Sequence, residues 1–201
     1  MNKAMLLASL RVKGIPEEII KAIEKVKREN FVQERYIGYA YEDLPIPLEE
    51  GSSLSQPYTV AFMLSLLDPK QNQKILEIGS GSGYVMSLLS EIIKNGKIYG
   101  LEISKNLAIK SKKLLEKNTN IEILNRSGSF GFQEQAPFDR ILVSASCRDE
   151  YIPTRLLDQL ADPGIMVVPV KQTIIRYKKE SGKITKEEFP GFVFVNLIEE
   201  A

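Results

Sequence analysis

A chain of 201 residues is short enough for one domain and long enough to bury a sizeable core. Its 27 Lys and Arg against 26 Asp and Glu leave a net charge of +1, which excludes an acidic disordered chain and gives no electrostatic reason to expect a nucleic-acid partner. Histidine is absent and Cys147 is the single cysteine, so imidazole acid–base chemistry, Ser-His triads, His metal sites and an intramolecular disulfide are all excluded.

In chain order, the apolar residues 4–10 are followed by Arg11 and Lys13, where a signal-peptide cleavage site needs small residues. They read as a buried lead-in to the first helix. No segment approaches the ~18–20 apolar residues of a membrane span, so no membrane partner is expected. With one cysteine and no export signal, the expected compartment is the cytoplasm. Pro16, Glu17 and Glu18 suit a helix start, and Ile19, Ile20, Ile23 and Val26 then share one face. Residues 38–51 read as loop, because Pro45 and Pro47 cannot continue a helix and Gly51-Ser52-Ser53 is turn material. A second helix is expected over 56–67.

The pattern then becomes regular. Strands are expected at 74–78, 97–103, 121–124, 140–143 and 165–170, with helices over 84–94, from the N-cap Ser104 onward, and over 154–160. Strands and helices alternating at this spacing predict an α/β fold with a doubly wound, mostly parallel sheet covered on both faces. Residues 173–179 and 192–198 alternate like antiparallel strands joined near Ser181-Gly182, a C-terminal hairpin. The expected organisation is one domain: a helical and loop cap over 1–55, a core over 56–170 and the hairpin over 171–201.

The strongest local signal is Ile75-Leu76-Glu77-Ile78-Gly79-Ser80-Gly81-Ser82-Gly83-Tyr84. A strand entering a glycine-rich turn and then a helix lets backbone N–H groups approach a ligand closely. Because residue 84 is Tyr, the spacing is Gly-x-Gly-x-Gly and not the dinucleotide fingerprint. Glu77 would oppose a pyrophosphate but pairs well with the ammonium of an amino-acid-bearing cofactor. Glu102 closes the second strand, where a carboxylate can accept both hydroxyls of a ribose or stand as a solvated strand-end charge. Together these features resemble the first two motifs of S-adenosylmethionine-dependent methyltransferases.

The flanking segments narrow the resemblance. Leu10-Arg11-Val12-Lys13-Gly14-Ile15, Val26-Lys27-Arg28-Glu29-Asn30-Phe31-Val32, Tyr41-Glu42-Asp43-Leu44-Pro45-Ile46 and Leu54-Ser55-Gln56-Pro57 resemble the protein-L-isoaspartate O-methyltransferases, in order and at similar spacing. So do Ala136-Pro137-Phe138-Asp139-Arg140, Leu156-Leu157-Asp158-Gln159-Leu160 and Phe192-Val193-Phe194-Val195-Asn196-Leu197. The resemblance implies a Rossmann-like fold that transfers a methyl group from S-adenosylmethionine to the free α-carboxylate of L-isoaspartyl residues in damaged proteins or peptides. It places the catalytic serine at Ser55, with Ser52, Ser53, Leu54 and Ser144 on the substrate side. Glu77, Gly79, Ser80, Gly81 and Gly83 would hold the methionine end, Glu102 the ribose, and Ser127 and Gly128 the adenine. An acceptor carboxylate is ionised at neutral pH and needs no general base, which agrees with the missing histidine.

Three departures from the family pattern stand out. Tyr58 replaces a His, to pack on the adenosine side or simply fill a helix face. Ser127 replaces an Asp near the adenine. The loop before Ser55 is about two residues longer and carries Glu49 and Glu50, either as solvated charges or as the mark of a changed substrate. The alternatives are therefore a methyltransferase with a different carboxylate or small-molecule acceptor, or a catalytically silent cofactor-binding relative. Oligomeric state is not legible in the sequence.

Overall fold

The computed structural model describes residues 1–198. Asn2 caps helix α1 (Lys3–Val12) by accepting the Met5 N–H at 2.9 Å, and Leu6, Leu7 and Leu10 face inward. The stretch expected as a lead-in is therefore a helix of its own. Helix α2 (Glu17–Lys25) follows Pro16 and buries Ile19, Ile20 and Ile23. A 3-10 turn at Arg28–Phe31 and another at Glu34–Tyr39 lead into a short antiparallel pair, β1 (Ile46–Pro47) and β2 (Ser53–Leu54).

Helix α3 (Pro57–Leu67) then crosses to the main sheet, with Pro57 at its first position, where a missing N–H costs nothing. The sheet contains β3 (Lys74–Ile78), β4 (Lys97–Glu102), β5 (Ile121–Asn125), β6 (Phe138–Val143) and β7 (Leu160–Val170), all parallel, in the order β5-β4-β3-β6-β7. Helices α4 (Tyr84–Ile93), α5 (Lys105–Leu114) and α6 (Tyr151–Leu157) link successive strands. On β3, Ile75, Leu76 and Ile78 are all buried, as a strand covered on both faces requires. The chain winds outward from β3 to β5, then returns to β6 on the other side. Connections leaving β3 and β6 in opposite directions open a crevice beyond the carboxyl ends of the central strands.

Strands β8 (Thr173–Glu180) and β9 (Lys183–Pro190) complete the sheet antiparallel to β7. The hairpin is where expected, but its second strand is 183–190 and not 192–198. Ser181 and Gly182 both have positive φ (52° and 73°), as a two-residue hairpin loop demands, and both N–H groups donate to Asp162. Pairing resumes at once, with Lys183 opposite Glu180. The apolar alternation downstream has another cause. Phe192 stacks on Phe62 of α3 with ring centroids 5.3 Å apart, and the segment bonds to Ser146 through Val195 O and the Leu197 N–H. Helix α6 also starts three residues before the expected 154, and Leu160 opens β7. The last three residues of the expected 171–201 hairpin lie outside the described residues.

Helix α3 carries the chain out of the Ser55 segment and rests on β6, β7 and β8, with Leu64 fully buried. Leu64→Ala is expected to cost about 2–5 kcal/mol through lost burial and a cavity. For a chain of this size that lowers the unfolding midpoint by about 4–20 °C in calorimetry; a shift under 2 °C, on the order of the smallest resolved change, contradicts the packing described.

Candidate active site

The turn after β3 sits at the switch point. Gly79, Gly81 and Gly83 have φ of 76°, 53° and 83°, a region costly for side-chain-bearing residues. The Gly79 N–H donates to Leu101 O at 2.8 Å, which ties the turn to β4. Gly81 N–H and Ser104 N–H donate to the Glu102 carboxylate at 2.7 and 2.8 Å, so the strand-end acid fixes both the turn and the start of α5. Ser104 caps that helix as expected, accepting the Leu107 N–H at 3.1 Å. Glu102 is thus a buried, positioned group and not a solvated strand end.

Glu77 is 1% exposed. Its Oε1 accepts a hydrogen bond from the Ser144 hydroxyl at 2.7 Å, and its Oε2, like the Ser80 hydroxyl, has no partner among the described residues. Burial pushes the Glu77 carboxyl up to about 8, against the Ser144 hydrogen bond and with help from the nearby Glu102 charge. Burial also raises Glu102, opposed by its backbone donors.

A cleft of about 500 Å³, counted to its open mouth, brings the Ser53-Leu54-Ser55 element against Glu77, Ser144 and the turn at Gly79-Ser80-Gly81. Five expected residues stand outside its lining. Gly83 packs beneath, where a Cβ would meet Leu115 at 2.7 Å. Ser52 closes the preceding loop, with its N–H on Glu49 O and its carbonyl on the Leu48 N–H. Glu102 lies just behind Gly81. Ser127 is bonded to Ser129, and Gly128 is pressed against Ile78, where a Cβ would meet Cγ2 at 2.2 Å. Both stay beside Glu102, because Asn125 is its register partner and the Arg126 N–H donates to its carbonyl.

The departures resolve structurally. Tyr58 is not in the cleft lining; its ring stacks on Phe62 and carries the Lys13 ammonium 4.2 Å from its centroid. Glu49 and Glu50 turn to α5, where they pair with Lys110 and Asn106. Leu48, not singled out from the sequence, lines the cleft, as does Ser82 of the glycine motif. Two further residues act on its wall from behind. Asp43 accepts the Tyr58 N–H at 2.9 Å, capping α3 from another segment, and Arg28 donates to the Ser55 carbonyl at 2.8 Å. Asp43 and Arg28 both lie within segments that carry the family resemblance, with no role assigned to either there.

A glycine turn at the switch point of a doubly wound sheet, backed by an acid at the end of the next strand, defines a Rossmann-like nucleoside-cofactor fold. A family model described as protein-L-isoaspartate(D-aspartate) O-methyltransferase matches residues 1–201. A protein-L-isoaspartate O-methyltransferase from Thermosipho melanesiensis is 38% identical over 192 residues, covering 92% of this chain and 96% of that one. Among solved structures, a protein-L-isoaspartate O-methyltransferase superposes with a TM-score of 0.87 at 25% identity, over 97% of this chain and 65% of the longer neighbour. A Plasmodium falciparum chain described as a protein-L-isoaspartate O-methyltransferase, in complex with S-adenosyl-L-homocysteine, gives 0.86 at 25% identity over the full length of both. The chain belongs to the protein-L-isoaspartate(D-aspartate) O-methyltransferase family and is an S-adenosylmethionine-dependent methyltransferase.

The buried Glu77 makes a pH prediction. Between its ordinary 4.5 and about 8, the folded ligand-free protein holds a proton at Glu77 that the unfolded chain has released, so stability falls as pH rises through that window. Glu77→Gln has no such ionisation. From about pH 5 to about pH 8, its unfolding midpoint should fall less than that of the unaltered protein; parallel curves contradict the assignment.

Proposed function

We propose that this protein methylates the free α-carboxylate of L-isoaspartyl residues in damaged proteins or peptides. The observation that carries the reading is one cleft walled on one side by Ser53-Leu54-Ser55 and on the other by Glu77 and the glycine turn, in a chain of this family. The residues fit the cofactor. Glu77 Oε2 is a buried oxygen with no hydrogen-bond partner among the described residues, which once ionised suits an ammonium group, and Gly79 and Gly81 present backbone without side chains. Glu102, held by two N–H groups, is placed to accept ribose hydroxyls, with Ser127 and Gly128 beside it for the adenine. When bound, S-adenosylmethionine supplies a sulfonium-bound methyl group.

The chain's own task is positioning. The acceptor carboxylate is already ionised, so no residue has to take a proton, and the absence of histidine is no handicap. Ser55 orients that carboxylate by donating from its hydroxyl, with Ser53, Leu54 and Ser144 completing the wall. Holding the reacting groups in line and excluding water can account for several kcal/mol of barrier. Because Glu49 is paired with Lys110 of α5, its charge is offset on the side of the longer loop. The division of labour is a cap over 1–55, a cofactor-binding core over 56–170 and a hairpin over 173–190, in one domain. One hydrophobic cluster running from Leu6 of α1 to Ile174 of β8 supports this. Among the described residues no helix is long and apolar enough to cross a membrane, and a single, buried cysteine, Cys147, fits a reducing, cytoplasmic setting.

The test is methyl transfer from labelled S-adenosylmethionine to an isoaspartyl peptide beside its aspartyl twin. Base-labile methyl ester is expected on the isoaspartyl peptide alone, falling by about 10²-fold in Ser55→Ala. No transfer, with S-adenosylhomocysteine still bound in calorimetry, overturns the isoaspartyl assignment and points to a different acceptor or a silent relative.

A further inference from the structure

Arg28 is 0% exposed, the largest of the fully buried side chains. Its Nη2 donates to the Ser55 carbonyl at 2.8 Å, while Nε and Nη1 have no hydrogen-bond partner among the described residues. The guanidinium carbon lies 4.8 Å from the centroid of Tyr84, itself buried, and the Tyr84 ring meets Phe31 edge-on at 5.4 Å. As a stability element this is a poor arrangement. Burial lowers the Arg28 pKa, opposed by Tyr84 and by the charge of nearby Asp43, yet no ion pair to it forms among the described residues, and apolar replacements at buried charged sites are often neutral or stabilising.

What the arrangement gives is geometry. The planar fork is fixed between two walls of the cleft. Ser55 belongs to the wall assigned to the methyl acceptor, and Tyr84 opens α4 immediately after the glycine turn. Ser55 sits where β2 has ended and α3 has not begun, so no strand or helix ladder holds its carbonyl. Asp43 fixes the chain on the far side by accepting the Tyr58 N–H.

We infer that Arg28 is a positioning residue for the methyl acceptor: its bond to the Ser55 carbonyl fixes the peptide unit that aims the Ser55 hydroxyl, against a reference set by Tyr84. This rests on the reading of Ser55 as the acceptor-orienting group. It assigns Arg28 no contact with substrate or cofactor.

The experiment compares the full-length protein with Arg28→Met, which keeps the bulk and removes the donors. Readouts are hydrogen exchange of residues 53–58 without ligand, S-adenosylhomocysteine affinity, and kcat and KM for the isoaspartyl peptide. Exchange should quicken in 53–58, kcat should fall about 10–10²-fold, and S-adenosylhomocysteine affinity should stay within about threefold. A role in stability alone predicts the reverse: a lowered unfolding midpoint, weaker S-adenosylhomocysteine binding and an unchanged kcat per folded molecule. Unchanged exchange and kcat in a folded variant overturn the inference. If Arg28→Met does not fold, Arg28→Lys decides, since a single ammonium does not reproduce the fork. Lowered kcat with retained affinity supports the inference, and full kcat overturns it. Should the unaltered protein not methylate the peptide, the isoaspartyl reading fails by itself, and the exchange of 53–58 still judges the Arg28 latch.

Discussion

A carboxyl group buried at the end of the central strand governs the rest of this site. Glu77 lies near the end of β3, at the switch point where the connections from β3 and β6 run in opposite directions, with one oxygen bonded to Ser144 and the other without a partner among the described residues. A group in that state is unfavourable for folding and favourable for capture of a complementary donor, since an unpartnered buried acceptor loses its hydration without return. Glu102 intensifies the effect, since its charge near the same glycine turn adds to the cost of ionising Glu77.

Around this constraint the molecule is built as two walls. The parallel sheet supplies one, with the glycine turn tied to β4 through Leu101 and Glu102. The N-terminal segments supply the other. Neither Ser55 nor its flanks lie in a regular element of any length, so the wall is held from behind by Arg28, Asp43 and the docking of α3 on β6, β7 and β8. The loop between β1 and β2 spans from this wall to α5, where Glu49 meets Lys110 and Glu50 meets Asn106. Exposed pairs of this kind are worth little individually, so they set where the loop rests more than how stable the protein is.

What was legible in the sequence follows from which signals are local. The strand, glycine turn and helix from Ile75 to Tyr84, and the acid at Glu102, obey spacing rules that hold for any doubly wound sheet, and the structure places them as those rules require. Strand β9 escaped notice because nearly its whole length is exposed, so its mixture of Lys, Thr and Glu carries no alternation between a buried and a wet face. Residues 192–198 imitate a strand because Phe192 and Phe194 pack inward while Val193 points out, and the segment pairs through one isolated parallel bridge, Ser146 with Asn196, without forming a strand of the sheet. Arg28 was illegible for a deeper reason: a cation inside a run of charged residues reads as solvent-facing, and only its tertiary setting shows it sealed under Tyr84. The same holds for Glu49 and Glu50, whose partners lie 61 and 56 residues away.

The central claim is that the buried Glu77 carboxyl is the receptor for the cofactor's ammonium group. Calorimetry of S-adenosylhomocysteine binding at neutral pH, repeated in buffers of differing ionisation enthalpy, tests it most directly. A carboxyl held protonated in the ligand-free protein must release its proton to meet an ammonium, so the observed heat should vary with the buffer in the sense of proton release, and Glu77→Gln should abolish that dependence while binding more weakly. Buffer-independent heat, or a Glu77→Gln protein that binds as tightly as the unaltered one, would contradict the account.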